Sequence, residues 1–212
     1  MKKIILISAL ILFAISCKAQ PGNQALLNII PLQDYELGTA NSNDYVKDLD
    51  GLLDPFVGTW LYTNGTTSLK FIIKKAINHN NNYYHEDMLY GEYEYIENGT
   101  SIINSLSQID QFELKFKNSI AGNTILLNND VIFPCQQCEP NEKRVELIIS
   151  NSANNSVGTL YLRHITVNNV PAISAYVYFT GIKGVQDPNI NEINQEAPVP
   201  IPRDYYTLIK QP

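Results

Sequence analysis

From Val57 onward the chain alternates apolar and polar positions with a period of two, and it keeps doing so almost to the C-terminus. Thr59-Trp60-Leu61-Tyr62 opens the pattern, and Ser68 to Lys75 sets Leu69, Phe71 and Ile73 against Lys70, Ile72 and Lys74. Phe112 to Lys117 alternates without an error. Tyr83–Ile96, Ser101–Leu106, Thr124–Phe133, Arg144–Ser150, Gly158–Thr166, Ile173–Thr180 and Tyr205–Lys210 complete the set, with a break or bulge expected at Gly91. Period two is the signature of a strand with one buried face. Asn64-Gly65 and Asn98-Gly99 are hairpin-turn dipeptides. No segment supplies the crossover helix that parallel neighbours need. A sheet of eight to ten strands with one apolar face has to close on itself or fold over. The pattern therefore predicts an all-β fold, an antiparallel β-barrel over residues 53–212, with a flattened sandwich as the alternative. Residues 187–203 carry Pro188, Pro198, Pro200 and Pro202 and read as a long connection.

The chain ahead of this pattern has a different character. Residues 21–52 form a lead-in, in which Asn43 or Asp44 caps a short helix with Tyr45, Val46, Leu49, Leu52 and Leu53 on one face. Pro55 ends it, since a residue before proline is pushed out of the helical region. Residues 1–20 read as an export signal, with Lys2 and Lys3 preceding an apolar stretch from Ile4 to Ile15 that is too short to span a bilayer. Two processing routes compete: lipidation at Cys17 after Ala14-Ile15-Ser16, or ordinary cleavage after Lys18-Ala19-Gln20. Either route sends the protein out of the cytoplasm of a Gram-negative bacterium, to the periplasm or to a membrane-anchored lipoprotein. Attachment to a membrane would then run through Cys17 alone. The net charge of −6 with scattered lysines lacks the basic stripe of a nucleic-acid footprint.

Candidate chemistry is sparse. Cys135 and Cys138 are the cysteines left in the mature chain, and an even pair in an exported protein reads first as a disulfide. A redox pair would sit at a helix start, and a zinc site needs two further ligands that the flanking sequence lacks. His85-Glu86-Asp87 invites a metal or acid–base reading, yet on a strand Glu86 points away from its two neighbours. No nucleophile elbow or cysteine–histidine pattern is present. The expectation is a non-enzyme without metal or cofactor. In the tyrosine-rich segment, Asp87, Gly91, Tyr93 and Tyr95 share a face. Asp87, Tyr93 and Tyr95 are candidate ligand-binding residues for a small hydrophobic or aromatic ligand; tyrosines that only pack across strands give the same pattern.

Phe56-Val57-Gly58-Thr59-Trp60 resembles the opening of the calycins, the lipocalins and fatty-acid-binding proteins. The resemblance implies a lipocalin-like barrel in which Gly58 lets the chain pass under the barrel floor and Trp60 plugs that end. It also implies an arginine stacked on the tryptophan, a role open to Arg203 or Arg163, and a short helix before the first strand. The chain is further similar to a family of small exported proteins of unknown function from flavobacteria and other Bacteroidetes. That similarity rests on Cys17-Lys18-Ala19-Gln20, Asp54 to Trp60, Glu86 to Gly99, and Pro202 to Gln211. It implies an exported lipocalin-like domain and no activity. Two functions follow as expectations: a carrier for a small, largely apolar ligand held in the barrel, or a non-catalytic envelope module with a filled barrel. In the second, residues 187–203 and the asparagine-rich loops form the contact surface.

Overall fold

The computed structural model describes residues 27–111, 119–130, 135–136, 138–183 and 198–212. The expected export signal, Cys17, the expected strand at Phe112–Lys117 and most of the expected proline-rich connection lie outside these residues.

Eleven strands occur among the described residues: β1 (Asn28–Pro31), β2 (Asp44–Lys47), β3 (Gly58–Asn64), β4 (Thr67–Asn80), β5 (His85–Glu97), β6 (Thr100–Asn104), β7 (Ile120–Leu127), β8 (Lys143–Asn151), β9 (Ser156–Val167), β10 (Val170–Lys183) and β11 (Asp204–Lys210). Eight of them close into an antiparallel barrel in the order β3-β4-β5-β7-β8-β9-β10-β11, with β11 returning to β3. Closure removes the free edges that an open sheet of this length would leave.

Strand β5 is the hub. One edge pairs with β4 along most of its length. The other edge is shared between three strands: β2 runs parallel to His85 and Glu86, β7 pairs with Leu89 to Gly91, and β6 pairs with Glu94 to Glu97. Gly91 is neither a break nor a bulge. It pairs in register with Ile73, and a Cβ there would lie 2.5 Å from the Ile72 carbonyl oxygen, so glycine is what allows the strands to approach this closely. The irregularity falls instead on β4, between Ala76 and His79, where Asn78 is left-handed.

The turns follow backbone chemistry. Every non-glycine residue with positive φ is asparagine: Asn78, Asn82, Asn98, Asn155, Asn168 and Asn169, among the described residues. Asparagine tolerates the left-handed region better than other side chains do. Asn98-Gly99 joins β5 to β6 as expected, and Asn168-Asn169 does the same between β9 and β10. At the first hairpin Asn64 pairs with Thr67, so the turn residues are Gly65-Thr66, one position later than the Asn-Gly pattern implies.

The described part of the lead-in contains no α-helix. Asp44–Lys47 is strand β2, and the described segment has only short 3-10 turns, Leu32–Asp34 after β1 and Asp54–Phe56 just before β3. The helical spacing of Tyr45, Val46, Leu49, Leu52 and Leu53 is overridden by an available strand edge on β5, which takes up the main-chain groups of Tyr45 and Val46. Leu49, counted on the apolar face of that helix, is 54% exposed. Gly51 then reverses the chain at φ 66°. From here the lead-in crosses one end of the barrel. Leu32–Asp34 touches β7, Asp54–Phe56 touches β9, and Leu32, Val46, Leu53 and Phe56 join the barrel core.

Candidate functional site

Among the described residues, the inward-facing side chains pack against one another inside the barrel. Trp60, Leu69, Phe71, Ile73, Leu89, Tyr93, Ile120, Leu147, Ile149, Leu160, Ile173, Val177 and Leu208 are all buried in one contiguous cluster with Tyr95, Phe179 and Tyr206. An eight-stranded barrel is just wide enough for its own side chains to fill.

Trp60 lies fully inside, and its indole N–H donates to the Phe56 carbonyl at 2.8 Å, which ties the first barrel strand to the 3-10 turn before it. The cation over its ring is Lys210, with the ammonium 5.3 Å from the centroid, reaching across from β11. Gly58 makes room for this lysine, since a Cβ there would meet Lys210 Cε at 3.0 Å. Neither expected arginine serves. Arg203 lies on the outer wall over Tyr178, 4.8 Å from its centroid, and bonds the Tyr176 hydroxyl. Arg163 pairs with Glu142. A lysine in a closing Leu-Ile-Lys was an equally available cation, and the cross-strand register, which only the fold supplies, selects it.

The three candidate ligand residues do not gather. The Tyr93 ring packs edge-on against Phe71, and its hydroxyl donates to the Ser150 carbonyl at 3.1 Å. The Tyr95 hydroxyl donates to Glu97 at 3.2 Å. Burial and then the neighbouring Glu97 push that phenol up to about 12, and burial raises Tyr93 as well, so both stay protonated at neutral pH. Asp87 lies six residues from Tyr93, roughly 20 Å along the strand.

Asp87 has another role. One carboxylate oxygen accepts from the Tyr45 hydroxyl at 2.5 Å and the Asn78 N–H at 2.9 Å; the other accepts from the Asp48 N–H at 3.0 Å. It is buried, so it pins β2, the turn after it and the β4 bulge with charge-assisted bonds. Burial and the adjacent carboxylate hold the Tyr45 phenol far above its ordinary range. Next to it, Asp48 accepts from the Leu52 and Leu53 N–H groups and from the Lys75 ammonium at 2.8 Å, while Lys75 also reaches Asp54 at 2.6 Å. Glu86, on the opposite face of β5, accepts from Asn81 and Asn123. His85-Glu86-Asp87 is thus a structural knot that ties the lead-in to the barrel, and among the described residues no three His, Cys, Asp or Glu side chains converge as metal ligands.

This knot has a pH signature. Burial alone would raise the Asp48 carboxyl, but the Lys75 ammonium and two backbone N–H groups outweigh it and hold Asp48 below its ordinary 3.8. A carboxyl that titrates lower in the folded state contributes stability above its unfolded value and loses it as pH falls further. Lowering the pH from about 5 to 2 is therefore expected to release residues 44–54 before the barrel unfolds. Hydrogen exchange, with residues 147–149 of β8 as the reference, checks this; equal loss of protection in both segments contradicts it.

Cys135 and Cys138 are bonded to each other, with 5.3 Å between their Cα atoms. Asn128 brackets the loop by bonding both the N–H and the carbonyl of Cys135.

Sequence reading missed two features. One is an outward-facing aromatic stack on the barrel wall. Tyr161 and Tyr176 lie 6.4 Å apart, with Arg144 placed 5.6 Å over Tyr161. The signal was present in the period-two spacing of Tyr176 and Tyr178, but strand register was needed to bring Tyr161 beside them. The other is a half-open cavity of about 210 Å³ at the lead-in end, lined by Ser42, Asn80, Asn82, Tyr83, Tyr84 and His85. Loop 81–84 shapes it: the Asn81 side chain accepts from the Tyr83 and Tyr84 N–H groups, and Asn80 accepts from the Asn82 N–H at 2.8 Å. The Tyr84 hydroxyl is held by that of Tyr35 at 3.0 Å, whereas the Tyr83 ring is 76% exposed.

An eight-stranded closed antiparallel barrel, with its described interior packed and one end crossed by an extended lead-in, defines a small all-β barrel protein. The chain belongs to a family of unknown function (DUF6705), whose sequence model matches residues 1–211. No curated protein and no solved structure matches it.

Proposed function

We propose that this protein is a non-catalytic recognition module of the bacterial cell envelope, which meets its partner with its outer surface and uses the barrel as a rigid scaffold. The observation that carries the reading is the packed interior. The inward aromatics Trp60, Phe71 and Tyr93 are fully buried against one another's strands, and their polar atoms are already bonded to the protein. A ligand of any size would have to displace them. The outer surface at the asparagine-rich segment around Asn80 and Asn82 offers exposed polar groups beside a cavity. Export and anchoring through Cys17 belong to the same proposal, and they fit a module that works at a surface.

Native mass spectrometry of the protein purified from its own host's envelope tests this. The expected result is the mass of the processed polypeptide with no small molecule retained. An apolar molecule that survives desolvation, and whose release lowers the melting midpoint, would overturn the proposal in favour of a carrier.

A further inference from the structure

We propose that the cavity at the asparagine-rich loop is a binding site for one neutral sugar ring, such as the terminal pyranose of an envelope glycan. This rests on the surface-recognition reading above and gives it a ligand class.

Four observations lead there. The lining carries no lysine, arginine, aspartate or glutamate, and His85 is its one basic side chain, so it lacks the permanent charges that sites for phosphates, carboxylates or ammonium groups use. Apart from the His85 imidazole its polar groups are amides and hydroxyls, and several are unspent among the described residues: the Asn82 side chain, the Ser42 hydroxyl and the Tyr83 hydroxyl. An amide offers a donor and an acceptor side by side, which suits a pair of adjacent hydroxyls. The Tyr83 ring stands largely free of the protein, and an aromatic side chain left in water at the mouth of a polar cavity is a platform for the apolar face of a pyranose. The volume of about 210 Å³ is below the ~300–1,000 Å³ of sites for drug-sized molecules, and its open side leaves room for the rest of a chain.

The construction of the site fits the same conclusion. Asn80 spends its carbonyl on the Asn82 N–H, and Asn82 holds φ 74°, so the Asn82 amide is presented by a fixed backbone. Tyr84 is clamped to Tyr35, which sets the rear wall while Tyr83 remains outward. Asn80 also approaches the His85 ring at 3.4 Å, which links the cavity to the start of β5. Little of the lining has to be ordered on binding, and preorganisation limits the entropic cost.

The test uses the full exported chain and a panel of methyl pyranosides (glucose, galactose, mannose and N-acetylglucosamine), with glucose 6-phosphate as the charged control. Binding is read by saturation-transfer NMR and calorimetry. The expected result is millimolar binding of at least one neutral pyranoside, no better binding of the phosphate, and about tenfold weaker binding in each of two variants. Tyr83→Ala removes the platform at an exposed position. Asn82→Gly removes the amide while keeping a residue that accepts positive φ. Both are expected to melt with the parent. Sugar binding that survives both variants, or a panel with no neutral binder, overturns the inference. A photo-crosslinker at position 83 separates its failure from that of the wider reading. A specific protein adduct without sugar binding sinks the sugar site and leaves surface recognition standing, while a ligand found inside the barrel by native mass spectrometry sinks both.

Discussion

Trp60→Ala is expected to destabilise the protein by ~3–5 kcal/mol, the cost of emptying a buried large aromatic site. Trp60 is fully buried in the barrel core, and its indole N–H is bonded to Phe56. The substitution therefore leaves a void at the closed end and frees the Phe56 carbonyl at the same time. For a chain of this length the melting midpoint should fall by roughly 6–20 °C. Trp60→Phe retains most of the apolar area and loses chiefly the N–H bond, so it should cost about 1–2 kcal/mol. The comparison separates packing from the hydrogen bond. A midpoint shift of a degree or two for the alanine variant would show that the surrounding core does not depend on this ring.

Asp87→Ala should be nearly as costly, at about 3–4 kcal/mol, for a different reason. Its carboxylate is the acceptor for the Tyr45 hydroxyl and for the N–H groups of Asp48 and Asn78. Removing a buried acceptor strands its donors, and each stranded donor costs ~1–3 kcal/mol, with water able to recover part of it. The damage should also be local. Residues 44–54 are expected to lose hydrogen-exchange protection, and the neighbouring cavity with them, while β8, β9 and β10 keep theirs. Asp87→Asn keeps the shape but turns an N–H donor toward the Asp48 N–H, so it should still cost about 2 kcal/mol. An Asp87→Ala variant with an intact lead-in would mean that the β2–β5 pairing alone holds that segment.

The barrel was legible because its signal is local and repeated. Leu69, Phe71 and Ile73 alternate on β4 and Leu147 and Ile149 on β8, and each strand states its buried face independently of its partners. Trp60 was legible as a core residue for a related reason, since a lone large aromatic beside Gly58 at the first strand has few other uses. The lead-in was illegible. Asp44 to Leu53 satisfies a helical period as well as a strand start, and the choice was made by an open edge on β5, about forty residues away in sequence. The same distance defeated the reading of Asp87. Alternation placed it with Tyr93 and Tyr95, and only the crossing of the lead-in showed that its three donors come from Tyr45, Asp48 and Asn78.

The candidate site divides along the same line. The asparagines of 78–82 read as a loop, whereas β4 runs on through Asn80 and only 81–84 connects it to β5; Asn78 and Asn82 hold a left-handed backbone whether or not anything binds. That Ser42 from the lead-in comes to face Asn80, Asn82 and Tyr83 across a cavity depends on β2 running parallel beside β5. Sequence by itself determined that this chain forms strands, which faces of them are buried, and where they turn, because periodicity and turn chemistry act between near neighbours. Tertiary structure alone decided which strands meet, which cation covers Trp60, what Asp87 holds, and where a cavity opens. Those outcomes depend on register and closure, which bring distant residues into contact and are written in no single stretch of the chain.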